Sequence, residues 1–292
     1  MAFCDFKLHK PESVTEACRL GREFGRTCAY MSGGTELLVD LRSGRKKVAH
    51  VIALGGLKEL REIRRDGDTL HIGAQATLSE IAEAPLVHEV FPALAEAIVT
   101  MAGVQIRNLA TMGGNFSCGV PCSDTPPITC AAGGSIVVAG PDGEREVAAR
   151  DFVLAPRTTV LNPGDIVTAI RIPVQPTTSG ASFQRFTMRR GSALAVASVS
   201  AWLNVEQGVI TAARVVMGAV GPIPLFAENC AASVVGQAPG DSVFADAGAL
   251  AAAEAQPISD LRGSEQYRRD VVAVLARRAL ACAAARAEGR TS

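Results

Sequence analysis

Two short glycine-containing segments constrain this chain more than any other feature of its sequence. The longer lies within residues 103–124, where Gly113 and Gly114 are flanked by hydroxyl and amide side chains, and the shorter is SGGTE at residues 32–36. Glycine permits sharp turns and close approach of the backbone to a ligand, and consecutive N–H groups in such a turn form a concavity that suits phosphate oxygens. Two such segments in one domain favour a single large ligand with two phosphate groups, held between them.

The spacing of these glycines argues against the commonest nucleotide sites. Neither segment fits GxGxxG or GxxxxGK[ST], so the usual dinucleotide fold and the P-loop are both disfavoured. A glycine pair is also often no more than a turn, and that interpretation stays open for each segment taken singly. The case for a ligand comes from the two segments together.

The charge balance argues against a nucleic-acid-binding protein. Lys+Arg and Asp+Glu both number 29, so the chain lacks the net positive charge that drives binding to phosphates. Aromatic residues make up only 4% of the chain, which leaves few rings to stack on bases. Hydrophobic residues make up 48% of the 292 residues, a composition typical of a globular protein long enough for two domains.

The N-terminal sequence MAFCDFKLHKPESV has no apolar core, so we expect no signal peptide. No uncharged apolar run approaches the length of about 18 residues that spans a bilayer, and we therefore expect a cytoplasmic protein that is not an integral membrane protein. The spacing Cys118-x3-Cys122-x7-Cys130 could be interpreted as a metal or iron–sulfur site. It lacks Cys-x2-Cys pairs and a fourth ligand in range, so we interpret these thiols as reduced side chains that pack locally and predict no metal site.

Hydrophobic periodicity predicts an α+β chain in two parts, with the boundary near residue 177. In residues 1–176 the patterns predict helices over 14–24, 36–42, 78–84, 92–101 and 126–132, and strands over 28–31, 48–54, 60–64, 70–73, 135–139, 144–147 and 166–172. Pro85 is expected to stop the third helix, and residues 174–180 are expected to form a linker. In residues 177–292 the patterns predict antiparallel strands over 183–188, 195–205 and 209–217 and helices over 230–235, 243–255 and 267–287.

No side chains form an acid–base or nucleophilic constellation, so we predict no catalytic residue in this chain. Asp124, directly after the second glycine segment and before two prolines, is a better candidate for ligand binding. Its carboxylate could accept hydrogen bonds from sugar hydroxyls. Alternatively, it could begin the helix at Pro126 as its N-cap.

Several motifs, in the same order along essentially the whole chain, resemble the FAD subunits of the molybdenum hydroxylases. These are the medium subunits of carbon monoxide dehydrogenase, bacterial xanthine dehydrogenase and their relatives. The motifs are SGGTEL at 32–37, RNLATMGGN at 107–115, LNPGDI at 161–166, FQR at 183–185 and DLRGSEQYRR at 260–269. The resemblance implies a vanillyl-alcohol-oxidase-like (PCMH-type) FAD-binding domain of two α/β lobes in residues 1–176. It also implies a C-terminal α+β domain over 177–292, with a three-stranded antiparallel sheet and helices.

The resemblance also implies which residues bind the cofactor. In that family the first glycine segment holds the FAD pyrophosphate, and the second runs along the pyrophosphate and ribityl chain toward the flavin. Asp124 matches an acidic residue on the adenosine side, Val167 an apolar residue that lines the site, and Arg185 a basic residue near the isoalloxazine ring. The cofactor-binding residues so implied are Met31, Ser32, Gly33, Gly34, Thr35, Glu36, Leu37, Thr111, Met112, Gly113, Gly114, Asn115, Asp124, Val167 and Arg185.

The function implied is that of an electron-transferring oxidoreductase subunit. A molybdenum cofactor in a large partner subunit oxidises the substrate, and [2Fe–2S] clusters in a small partner subunit pass electrons to FAD in this chain. NAD+ or another external acceptor then receives them, and the complex is expected to be a dimer of heterotrimers. One alternative is a self-contained FAD-dependent reductase or oxidase of the same fold with its own substrate site. Another is a binding module without flavin.

Overall fold

The N-terminal lobe is built on a three-stranded parallel sheet. The computed structural model describes residues 5–189 and 191–289. The elements of this lobe are β1 Lys7–His9, α1 Val14–Phe24, β2 Cys28–Met31, α2 Leu37–Ser43 and β3 His50–Ala53. The strand order is β1-β3-β2, so β2 lies at an edge and the first glycine segment follows directly from its C-terminal end. The predicted strand–glycine–helix order of this lobe is therefore confirmed.

The second lobe contains a five-stranded antiparallel sheet of order β4-β5-β10-β6-β7. Its strands, together with a separate two-stranded hairpin of β8 and β9, are β4 Ile63–Asp66, β5 Thr69–Gly73, β6 Ser135–Gly140, β7 Gly143–Ala148, β8 Val153–Ala155, β9 Thr158–Thr159 and β10 Ile166–Pro173. Both predicted hairpins are present, and the first turns at Gly67 with a φ of 58°. The central strand β10 brings Val167 to the inner side of the lobe, where only 4% of the residue is exposed.

Seven short helices accompany this sheet. They are α3 Leu78–Glu83, α4 Pro85–Val90, α5 Pro92–Val99, α6 Val104–Arg107, α7 Met112–Ser117, α8 Thr125–Ala131 and α9 Ala149–Phe152. The predicted helix does end before Pro85, but this proline also begins α4, because the first turn of a helix does not need the N–H that proline lacks. The segment predicted as a glycine loop is partly helical: Gly113 and Gly114 lie in the first turn of α7, where the side chain of Thr111 caps the helix.

The C-terminal part contains an antiparallel sheet of order β11-β12-β13-β14. Its elements are β11 Ser179–Thr187, β12 Ala195–Glu206, β13 Val209–Gly218, β14 Leu225–Phe226, α10 Glu228–Val234, α11 Asp241–Glu254 and α12 Glu265–Ala287. The three predicted strands are confirmed, and β14 adds a two-residue fourth strand. The predicted linker is shorter than expected, because β11 already begins at Ser179.

The two parts of the chain share one hydrophobic core. Phe183, Trp202 and Val216 of the C-terminal sheet belong to the same buried cluster as Ile128 and Ala131 of α8. A two-point ion pair reinforces this contact, because Arg286 of α12 holds Glu96 of α5 through two contacts of 2.9 Å. The C-terminal sheet is therefore packed firmly against the second lobe.

We expect Asp260→Asn to lower the free energy of unfolding by about 3 kcal/mol at pH 7. Arg268, only 1% exposed, pairs with the Asp260 carboxylate, and removal of one partner leaves a buried charge uncompensated. Hydrogen bonds from Arg262 and Arg268 hold the pKa of Asp260 well below its ordinary value of 3.8. The stabilisation that the ionised Asp260 provides is therefore fully present above pH 4 and is lost as the pH falls through the lowered pKa. Urea denaturation at neutral and acidic pH measures it, with the exposed Asp246→Asn as control; equal stability of the two variants at pH 7 would contradict it.

Candidate functional site

A cavity of about 990 Å³ opens where the two lobes and the C-terminal sheet meet. This volume lies at the upper end of the range for small-molecule sites, which suits a large ligand. Thirteen of the residues implied by the resemblance line it: Ser32, Gly33, Gly34, Thr35, Glu36, Leu37, Thr111, Gly113, Gly114, Asn115, Asp124, Val167 and Arg185. The fold therefore brings both glycine segments to one site, as their pairing in the sequence predicts.

Met31 and Met112 are not among the residues that line this cavity. Met112 is 0% exposed and belongs to the core of the second lobe. Met31 packs instead against the small cluster that contains Leu41 and Val51. These two side chains support the glycine segments from behind and do not form the cavity wall.

Close packing between the two glycine segments requires glycine at particular positions. A Cβ on Gly33 would lie 1.7 Å from the carbonyl oxygen of Leu109, and a Cβ on Gly113 would lie 2.6 Å from the Cβ of Ala74. Gly34 has a φ of 74°, a conformation that disfavours other residues. These three glycines are needed for the fold of the site itself, whether or not a ligand is bound.

A chain of hydrogen bonds also joins the two segments. The N–H of Gly114 donates to Oγ1 of Thr111 at 3.2 Å, and this oxygen lies 2.6 Å from Oγ of Ser32. Ser32 Oγ donates in turn to Oε1 of Gln75 at 2.8 Å. Each hydroxyl can therefore accept one hydrogen bond and donate another, which fixes the positions of the two segments relative to each other.

The two segments differ in the backbone N–H groups that they leave available. None of the N–H groups of residues 33–36 donates a hydrogen bond to any part of the chain that the structure describes. In the second segment, by contrast, Gly113 donates to the carbonyl of Ala74 and Gly114 to the side chain of Thr111. Consecutive unpartnered N–H groups form an anion-binding concavity, so the first segment is the better candidate for a phosphate site. The second segment mainly provides a close-packed wall.

A buried ion pair also lines the cavity. Nε of Arg185 is 3.2 Å from Oδ2 of Asp124, and the two side chains are only 7% and 5% exposed. The guanidinium also donates to the carbonyls of Thr100 and Ala193. Burial raises the pKa of Asp124 to about 6, although the nearby Arg185 acts in the opposite direction. Oδ1 of Asp124 is buried and accepts no hydrogen bond from the described residues, so it is available to a ligand donor.

This contact bears on two expectations about Asp124 and Arg185. The resemblance places Asp124 on the adenosine side and Arg185 near the isoalloxazine ring. The structure brings the two side chains to within 3.2 Å of each other, and both assignments stay predictions. The alternative role of Asp124 as a helix cap is confirmed in part: Asp124 occupies the N-cap position of α8, but its side chain makes no capping hydrogen bond with the described residues.

Several residues of the site carry no motif that the sequence reveals. Gln75 ends the hydroxyl chain, although nothing in its neighbourhood distinguishes it from any polar residue after a strand. Arg157 bridges Glu36 and Asp40 at 2.7 and 2.9 Å, and Arg45 contacts Asp40 at 2.8 Å. Of these residues that the sequence did not single out, only Arg157 is marked by a sequence pattern, because Pro156 before it predicts a turn.

The cysteines singled out in the sequence do not form a reactive site. Cys118 and Cys122 line the cavity, and burial raises the pKa of both thiols. Burial also raises the pKa of Cys130 to about 12. A raised pKa keeps a thiol protonated and weakly nucleophilic at neutral pH. Within residues 5–189 and 191–289, no group of three or more His, Cys, Asp or Glu residues has the arrangement of a metal site.

Comparison with known proteins assigns the chain to a family. Residues 4–175 match the model of the FAD binding domain in molybdopterin dehydrogenase, and residues 182–283 match the CO dehydrogenase flavoprotein C-terminal domain. The chain belongs to this flavoprotein family. It is 32% identical to the carbon monoxide dehydrogenase medium chain of Afipia carboxidovorans, over 97% of this chain and 98% of that protein. It is 27% identical to a putative xanthine dehydrogenase FAD-binding subunit of Escherichia coli, over 97% of each.

Solved structures of the same family have the same fold. A Cu,Mo-CO dehydrogenase chain superposes with a TM-score of 0.94 at 32% identity, covering 98% of this chain and 100% of that one. The carbon monoxide dehydrogenase of Hydrogenophaga pseudoflava gives 0.95 at 30% identity, covering 98% and 99%. The protein is therefore an FAD-binding medium subunit of the molybdenum hydroxylase type, an oxidoreductase subunit with an FAD-binding domain and a flavoprotein C-terminal domain. Among the described helices, none combines the length and the apolar character needed to cross a bilayer.

Proposed function

We propose that this chain binds FAD in the cavity between its glycine segments and passes electrons from a small [2Fe–2S] partner subunit to NAD+ or another external acceptor. A large partner subunit with a molybdenum cofactor oxidises the substrate, and the assembly is a cytoplasmic dimer of heterotrimers. The FAD-binding domain occupies residues 1–176 and the C-terminal domain residues 177–292. Bound FAD supplies the redox chemistry, while this chain binds and orients it.

One observation carries the assignment of the ligand to the cavity. Four consecutive N–H groups without acceptors, at residues 33–36, lie along the same cavity as the unpartnered buried oxygen of Asp124. The N–H groups suit a diphosphate, and the carboxylate oxygen suits a hydroxyl or N–H donor. FAD offers both kinds of group in one molecule. Val167 supplies an apolar wall, so the residues present fit the cofactor.

Purification of the chain alone and with its partners tests this proposal. We expect a yellow protein that releases FAD on denaturation, co-purifies with a molybdenum subunit and a [2Fe–2S] subunit, and reduces NAD+ or an artificial acceptor only in the complex. A colourless chain that binds no added FAD would indicate a binding module without flavin. Turnover of a small substrate by the yellow chain alone would indicate a self-contained reductase or oxidase.

A further inference from the structure

Arg157 occupies a backbone conformation that normally favours glycine. It follows Pro156 in the turn between β8 and β9, and its φ is 59°. Proline followed by a residue with positive φ is typical of a type II turn, in which glycine or asparagine usually takes the second position. An arginine there carries a conformational cost, and such violations of local preference concentrate at functional sites.

The surrounding chain holds this strained turn in place. The N–H of Arg157 donates to the carbonyl of Gly119 at 2.8 Å. Gly119 itself has a φ of 57°, and a Cβ added to it would lie 3.2 Å from Cα of Arg157. The turn is thus packed against the segment that follows α7, on the cavity side of the second lobe.

The side chain of Arg157 reaches across to the first lobe. Its Nη2 lies 2.7 Å from Oε1 of Glu36, the last residue of the first glycine segment. Its Nη1 lies 2.9 Å from Oδ2 of Asp40, a residue of α2 that is only 7% exposed. All three side chains belong to residues that line the cavity. One guanidinium therefore ties the glycine segment and α2 to the opposite lobe.

We propose that Arg157 is a positioning residue for the cofactor, which holds residues 33–36 in their anion-binding shape. This inference rests on the proposed function. Without the guanidinium, Glu36 would lose its ion-pair partner and Asp40 would keep only Arg45, and the uncompensated negative charge beside a site for a diphosphate would oppose binding. Arginine suits the role because its planar fork can bind two carboxylates at once, whereas the glycine that the turn prefers could bind neither.

The strained conformation provides a test that separates stability from affinity. Arg157→Gly and Arg157→Asn relieve the backbone cost but also remove the ion pairs with Glu36 and Asp40. Because these effects oppose each other and Asp40 keeps its contact with Arg45, we expect the urea concentration at which the apo protein unfolds to change little. We expect the same variants to bind FAD at least tenfold more weakly, as measured by quenching of flavin fluorescence on titration of apo protein. Arg157→Lys, which keeps the charge but not the fork, should fall between these variants and the wild type.

A matched control exists in another turn. Gln207, exposed in the turn between β12 and β13, also has a positive φ of 51°. Gln207→Gly relieves comparable strain far from the glycine segments in the chain and should leave FAD affinity unchanged. Equal FAD affinity of Arg157→Gly and the wild type would overturn the inference about Arg157 but not the proposed function. A loss of FAD affinity that merely parallels a loss of stability of the apo protein would have the same consequence. Failure of the wild type to bind FAD would instead refute the proposed function and this inference with it.

Discussion

Replacement of Gly114 by valine is expected to abolish FAD binding while changing the free energy of unfolding of the apo protein by no more than about 1 kcal/mol. Apart from its chain neighbours and the backbone of its own helix, a Cβ on Gly114 would meet two atoms of the described residues within 4 Å, Thr111 Oγ1 at 3.0 Å and Ser32 Cβ at 3.9 Å. Valine also has a better helix propensity than glycine, which partly offsets the crowding at Thr111. The added methyl groups therefore lie at the wall of the cavity in which we propose that FAD binds, and they would block its close approach to the protein backbone.

Flavin titration and circular dichroism together measure this effect. Gly114→Ala should give an intermediate affinity, and Gly55→Val serves as the control because an exposed turn leaves nothing within 4 Å of its Cβ. Gly113→Ala should behave differently and destabilise the apo protein itself, since its Cβ would lie 2.6 Å from that of Ala74. A folded Gly114→Val protein with full flavin occupancy would contradict the prediction.

Replacement of Asp124 by asparagine is expected to change how the stability of the apo protein depends on pH. Because the pKa of Asp124 is raised from 3.8 to about 6 by burial, the folded protein binds this proton more tightly than the unfolded chain. The contribution of Asp124 to stability therefore falls as the pH rises from about 4 to about 6 and stays low above that range. A pKa change of this size corresponds to roughly 3 kcal/mol at neutral pH.

The expected result is that Asp124→Asn gains stability relative to the wild type by about 2–3 kcal/mol between pH 4 and pH 7. The loss of a charge beside the buried Arg185 also changes the stability of Asp124→Asn by an amount that is constant over this range. The prediction therefore concerns how the stability difference between the variant and the wild type changes with pH, and not its absolute value. Urea denaturation at several pH values measures it. Asp142→Asn is a control, because a hydrogen bond from Arg22 lowers the pKa of this exposed carboxyl, and its effect on the pH dependence therefore lies below about pH 4. A constant difference between Asp124→Asn and the wild type from pH 4 to pH 7 would contradict the prediction.

Local patterns were sufficient to predict most of the framework. The strand before residues 32–36, the helix after it, the hairpins and the three long C-terminal strands depend on periodicity and on turn residues, which act over a few neighbours. The convergence of the two glycine segments was predicted from their pairing, because one large ligand would contact both. Neither segment alone was enough to predict a phosphate site, since a single glycine pair is often only a turn.

The rest of the site depends on contacts between distant parts of the chain. The closeness of Gly33 to the Leu109 carbonyl cannot be read from either segment alone. Periodicity also gives no sign that the N–H group of Gly113 donates to the carbonyl of Ala74, since this contact depends on where the chain lies after β5. The pairing of Asp124 with Arg185 joins two residues on either side of the predicted boundary at 177, and no local pattern indicates that they lie together.

The wall of the cavity crosses that boundary, since Arg185, Ala193 and Leu194 line it together with both glycine segments. A ligand that contacts both sides binds only when the C-terminal sheet is seated on the second lobe. Cofactor binding is therefore thermodynamically linked to the association of the C-terminal sheet with the second lobe. Each of the two processes strengthens the other by the same free energy. If FAD binds in this cavity as proposed, we expect it to hold the two parts together as well as to carry electrons, and its loss to weaken the contact between the C-terminal sheet and the second lobe.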